Sequence, residues 1–136
     1  MTFEVKNISI SINCPKEAVY DFASDPGNFT KWLAFVKSVS KQSDHVWNAE
    51  THLGKMAIEL TPKNQFGIID HTVTLADGNK VTNPLRVIAN NDGTEVIFTL
   101  FKMPGKTTKE FEDDAKLVEA DLKKLKKLLE LQGNKR

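Results

Sequence analysis

From Thr107 to Gln132 the chain reads as one long amphipathic helix, and it follows a middle section made almost wholly of strand-like runs. Phe111, Ala115, Val118, Leu122, Leu125 and Leu129 recur at steps of four and three, which places them on one side of a 3.6-residue helix. Thr107 and Glu110 have capping-box spacing, Asp113 and Asp114 sit in the early turns, and Gly133 marks the expected stop. A helix of this length needs a broad apolar surface to lie on. The preceding strands, folded as a curved antiparallel sheet, are the only candidate. A helix gripped by such a sheet leaves space between the two, so the pattern predicts an internal cavity.

Length and composition narrow the class. With 136 residues, 40% of them hydrophobic and 27% charged, the chain predicts one soluble globular domain spanning residues 1–136. Nineteen basic against eighteen acidic residues leave a net charge of +1, which supplies no field for nucleic acid or an anionic membrane. No run approaches the ~20 apolar residues of a membrane span. Met1-Thr2-Phe3-Glu4 lacks the charged start and apolar core of a signal peptide, and Cys14 stands alone. Both features predict a reducing, cytoplasmic setting.

Along the chain, Phe3 to Ile12 alternates as a half-buried first strand. Pro15 opens a short helix carrying Ala18, Val19 and Phe22, and after the Asp25-Pro26-Gly27-Asn28 turn a second is predicted over Phe29–Leu33. Six strand-like runs follow: 35–41, 46–51, 55–60, 66–75, 80–89 and 94–102. Asp77-Gly78 and Asp92-Gly93 read as two-residue hairpin turns.

That order of elements, and the local sequence, resemble the helix-grip fold of the START-like (SRPBCC) superfamily, which includes plant pollen-allergen proteins and a polyketide cyclase/dehydrase-like group. Ile12-Asn13-Cys14-Pro15-Lys16-Glu17-Ala18-Val19-Tyr20-Asp21-Phe22 is similar to the group's opening strand and helix. Asp25-Pro26-Gly27-Asn28-Phe29 with Trp32 resembles its second-helix segment. Phe66-Gly67-Ile68-Ile69-Asp70-His71, Pro84-Leu85-Arg86-Val87 and Val96-Ile97-Phe98-Thr99-Leu100-Phe101 resemble strand signatures of a bacterial branch. The resemblance implies an α+β fold. In it a curved seven-stranded antiparallel sheet wraps around the long C-terminal helix, with two short helices after the first strand.

Candidate chemistry concentrates in the middle strands. Asp70 and His71 are adjacent in a strand and so point to opposite faces; Arg86 lies between Leu85 and Val87. Two-residue turns would set Asp70 opposite Leu85 and Arg86 opposite Thr99, gathering Asp70, Leu85, Val87, Val96 and Phe98 on one face. Ile69, His71, Val73, Arg86 and Ile97 would share the other, and a single bulge would exchange the faces beyond it. An inward Arg86 would anchor an oxyanion, whereas an outward one would be a solubilising strand residue. The three histidines, His45, His52 and His71, have no metal-binding spacing, and no metal or cofactor is expected.

Three functions remain in view. The first is carriage of a small hydrophobic ligand, lined by Trp32, Trp47, Phe66, Arg86, Phe98, Val118 and Leu122. The second is a cyclase- or dehydratase-like enzyme with His71, Asp70 and Arg86 as catalytic candidates. The third is a protein-interaction module of the chaperone-regulator type. A monomer and a weak homodimer both fit, and neither nucleic acid nor a membrane span is expected as a partner.

Overall fold

The C-terminal helix α3 (Thr108–Gly133) starts where the capping box places it. Glu110 N donates to Thr107 Oγ1 at 3.1 Å, and Thr107 N donates to Glu110 Oε1 at 2.9 Å, so each satisfies the other's orphan amide. In the computed structural model, residues 1–133 are described; the helix includes Gly133, and its expected stop lies at the edge of them. Phe111, Leu122, Leu125 and Leu129 of the stripe are buried, while Ala115 and Val118 stay half-buried.

The remaining elements are β1 (Val5–Ile12), α1 (Lys16–Ala23), a 3₁₀ turn (Pro26–Asn28) and α2 (Phe29–Trp32). They are followed by β2 (Val36–Lys41), β3 (Val46–Thr51), β4 (Gly54–Leu60) and β5 (His71–Thr74). The strands β6 (Lys80–Asn83), β7 (Leu85–Asn90) and β8 (Gly93–Phe101) lead to α3. Asp25 sets the turn before α2 by accepting the Gly27 amide at 2.9 Å.

The strands do not form the single seven-stranded sheet that was expected. Among the described residues they pair as two antiparallel sheets, ordered β1-β8-β7 and β2-β3-β4-β5-β6. Two local causes account for the division. Pro84 has no amide hydrogen, so the run 80–89 breaks there, β6 pairing with β5 and β7 with β8. The run 66–75 yields a strand only from His71, because Asn64 captures the backbone before it. Its Oδ1 accepts from Phe66 N at 2.9 Å and Ile68 N at 3.1 Å, and its Nδ2 donates to Ile68 O at 2.9 Å. Among the described residues an isolated bridge between Ile68 and Arg86 joins the loop before β5 to β7.

Register follows from these breaks. The β7–β8 turn is Asn91-Asp92, with Asn91 at φ 52°, so Asn90 faces Gly93. Gly93 is held in the strand because a side chain there would meet Ile12 O at 2.7 Å. The pairing therefore shifts by two from that expected, Arg86 facing Ile97, and the faces of β7 and β8 are preserved. The β5–β6 loop is longer than a two-residue turn: Leu75 N bonds Asn79 O at 2.8 Å, and His71 faces Asn83. That is a one-residue shift, and it exchanges the faces of β5. Leu85, Val87 and Val96 are buried with Ile69 in one cluster, and Val73 is buried in another, so the buried set is drawn from both expected faces.

Two apolar clusters result. The first joins α3, through Leu122, Leu125 and Leu129, to α1, Trp32, Ile69 and the inner face of β7–β8–β1. The second lies over the five-stranded sheet, with Phe29 from α2 against Val36, Ala49, Met56, Ile58 and Val73. Leu33 and Leu60 pack against both.

Candidate functional site

Asp70 and Arg86 turn away from the interior and bind each other. Arg86 Nε reaches Asp70 Oδ1 at 2.9 Å and Nη2 reaches Oδ2 at 2.7 Å, while Leu85 N also donates to Oδ1 at 2.9 Å. The guanidinium holds the Asp70 carboxyl below the ordinary carboxylate range, against the opposing effect of burial. The pair clips the segment before β5 to the start of β7, across the break at Pro84. We expect Asp70→Ala to destabilise by ~1.5–3 kcal/mol, the range for hydrogen bonds involving charge. Arg86→Met should cost less, since its side chain is 50% exposed. Denaturant unfolding of both variants checks the order; equal, negligible losses would mean that the clip is slack.

His71 takes the other face. It shares its side of β5 with buried Val73, and its Nδ1 lies 3.0 Å from Ile69 O, which fixes the proton on Nδ1 and leaves Nε2 as an acceptor. Burial pushes its pKa down, outweighing the bond to Ile69 and the charge of Asp70, so the ring is neutral at pH 7.

Several side chains that face inward by strand or helix parity are not sealed. Phe98 follows buried Val96 on the inner face of β8, Leu60 follows buried Ile58 on β4, and Val118 lies on the α3 stripe, yet all three are half-buried. They pack against the first cluster, and Leu33 and Leu60 join it to the second. These half-buried side chains come from α3 and from both sheets, Val118 on α3, Phe98 on β8 and Leu60 on β4, and all three border the first cluster. Of the residues expected to line a ligand, Trp32, Phe98, Val118 and Leu122 gather around the first cluster. Trp47 is half-buried on β3, Phe66 is 74% exposed on the loop before β5, and Arg86 is outside.

Trp32 is only 3% exposed, and its Nε1 finds no hydrogen-bond partner among the described residues. Its ring packs edge-on to Phe29 at 6.4 Å. A buried donor left unmade costs ~1–3 kcal/mol.

Asp121 was not singled out from the sequence, although its place beside the apolar stripe, three residues after Val118, was the available signal. It lies on the flank of α3 that meets the α2–β2 connection and accepts the Ala34 amide at 3.2 Å. The opposite flank meets β1, where Lys126 Nζ donates to Ser11 O and Glu130 accepts from Asn13 N. Burial pushes the Asp121 carboxyl up to about 6, against the pull of the Ala34 amide and Lys124. The folded state thus holds this proton more tightly than the unfolded chain. Its stabilising effect is complete below pH ~4 and is lost as pH rises from about 4 to 6. Halved for partial solvation, the two-unit shift amounts to ~1–1.5 kcal/mol. Asp121→Asn should therefore gain that much on the wild type between pH 4 and pH 7 in urea unfolding. A pH-independent difference would show that the carboxyl is well solvated.

Among the described residues, clefts at the surface include the following two. One, of about 330 Å³, lies between α1 and the loop after β4, beside Tyr20, Asp21, Lys63 and Asn64. The other, of about 410 Å³, runs between β1 and α3, from Asn7–Ile10 to Glu119, Leu122 and Lys123. Neither reaches the expected space between α3 and the five-stranded sheet. No three His, Cys, Asp or Glu side chains group as metal ligands among the described residues. Cys14 is free and half-buried, and no described helix is long and apolar enough to cross a membrane.

Residues 6–130 match the family described as polyketide cyclase / dehydrase and lipid transport. Solved structures agree in fold. The chain is similar to XoxI from Bacillus cereus at 13% identity and TM-score 0.73, over 95% of this chain and 96% of that one. It is similar to the Aha1 dimer from Colwellia psychrerythraea at 15% identity and TM-score 0.74, over 93% and 96%. A third likeness is to DynU16, from the dynemicin biosynthetic locus, at 15% identity and TM-score 0.73, over 93% of this chain and 47% of that one. No curated protein matches the sequence significantly.

Proposed function

As this chain belongs to the polyketide cyclase / dehydrase and lipid transport family, we propose that it binds a small apolar molecule at the junction of Leu33, Leu60, Phe98 and Val118, between α3 and the two sheets. The observation that carries this reading is the half-buried state of side chains whose parity directs them inward. Completing their burial is favourable by ~25 cal/mol for each Å² of apolar surface removed from water, and a ligand supplies the missing contact. The Asp121–Ala34 bond ties α3 to the α2–β2 connection next to Leu33. Native mass spectrometry of protein purified from its own host tests the reading. A retained apolar molecule at one per chain is expected, and it should be lost on Val118→Trp, which fills the junction. Retention unaffected by that change would place the ligand elsewhere.

A second reading, a cyclase or dehydratase, draws on His71. A neutral imidazole with Nδ1 held by Ile69 O and Nε2 unprotonated has the state that a general base requires. In that reading His71 removes a proton from a carbonyl-activated carbon of the bound molecule. Turnover of a polyketide-like substrate that disappears in a folded His71→Ala would favour the enzyme over the carrier.

A further inference from the structure

We propose that the ligand of this site carries an oxygen acceptor, a carbonyl or a phenolate, which takes the hydrogen bond of the Trp32 indole. The inference rests on the apolar-ligand reading above and adds the polar feature that selects among such ligands. Trp32 is 3% exposed, and its N–H is the buried side-chain polar group left without a partner among the described residues. It stands in the cluster that Leu33, Leu60, Phe98 and Val118 pack against, whose other buried members are apolar apart from the Tyr20 hydroxyl, and that hydroxyl already accepts the Asn64 backbone amide. Indole can only donate, so its partner must accept, and a purely hydrocarbon or ammonium-bearing ligand would leave it unsatisfied. In an apolar surrounding a single well-placed polar group fixes a ligand's orientation and discriminates more sharply than additional apolar contact does.

Two probes of equal shape separate this anchor from general hydrophobicity. 2-Acetonaphthone carries a carbonyl oxygen where 2-isopropenylnaphthalene carries a methylene. Both are titrated into wild type and Trp32→Phe, and the Nε1–H resonance of Trp32 is followed in the wild type. The ketone should bind wild type about tenfold more tightly than the alkene, equivalent to ~1.4 kcal/mol. It should move the Trp32 resonance, and the two probes should bind Trp32→Phe alike. Equal affinity of both probes for the wild type would overturn the anchor while leaving the apolar site standing. So would a ketone preference that survives Trp32→Phe, or an indole proton held by a long-lived water that the ketone does not displace. Failure of both probes to bind would remove the site itself and the anchor with it.

Discussion

Leu125→Ala is expected to destabilise the protein by ~2–5 kcal/mol, among the largest effects of any single truncation in this chain. Leu125 is fully buried, midway along the part of α3 that lies on the first cluster, with Leu122 and Leu129 on either side. Shortening it to Ala removes the transfer energy of three carbons and leaves a hole that α3 and the strands beneath it would have to close together. The helix is fixed along β1 by the bonds of Lys126 to Ser11 and of Glu130 to Asn13, so it has little freedom to sink into the gap. Leu117→Ala, on the exposed side of the same helix, should change stability by no more than ~0.5 kcal/mol. Urea unfolding of the two variants decides the matter. A loss at Leu125 as small as that at Leu117 would mean that α3 is not seated on the sheet.

Gly67→Ala should cost more than ~3 kcal/mol, for reasons of backbone and not of packing. Gly67 has φ 72°, a conformation that a side chain disfavours by ~1–2 kcal/mol. An added Cβ would also stand 2.0 Å from the Val87 carbonyl oxygen, and Val87 N already donates to Gly67 O at 2.8 Å. The added methyl group and that bond cannot coexist, so the loop must lift off β7. Because Asn64, Asp70 and the Ile68–Arg86 bridge hold the same loop, lifting would loosen the connection between the two sheets. A loss below ~1 kcal/mol, with the amide of Val87 still protected from exchange, would show that the contact is not rigid.

What was legible in the sequence was what is decided locally. The α3 stripe, its capping box and the Asp25 turn depend on residues a few positions apart, and the structure has them where the pattern put them. Pro84 carried a readable warning, since a proline inside a strand run removes a ladder donor; the run nonetheless looked continuous because strand-forming residues stand on both sides, Val81 and Thr82 before it and Val87 and Ile88 after it. The loop from Asn64 to Asp70 was not readable. Its conformation depends on Asn64, whose amide donates to the Tyr20 hydroxyl at 3.0 Å from a helix distant in sequence, and on Gly67 meeting β7. The one-residue shift at β5 had another source, the loop before β6 where Leu75 N bonds Asn79 O, and Asp70 is held outside by its pairing with Arg86. Asp121 escaped notice because its significance lies in the burial and the Ala34 amide brought to it by α2. Trp32 was singled out as an aromatic, but its unpartnered N–H is a property of the folded interior alone.

The most direct test of the binding site is a titration of methyl-labelled protein with 2-isopropenylnaphthalene, followed by NMR. Saturable one-to-one binding is predicted, with the largest shifts at the methyl groups of Leu33, Leu60 and Val118, and aromatic contacts to Phe98. Shifts confined to exposed apolar residues such as Val5, Leu53 and Ile88, or a response that never saturates, would contradict a ligand site between α3 and the two sheets.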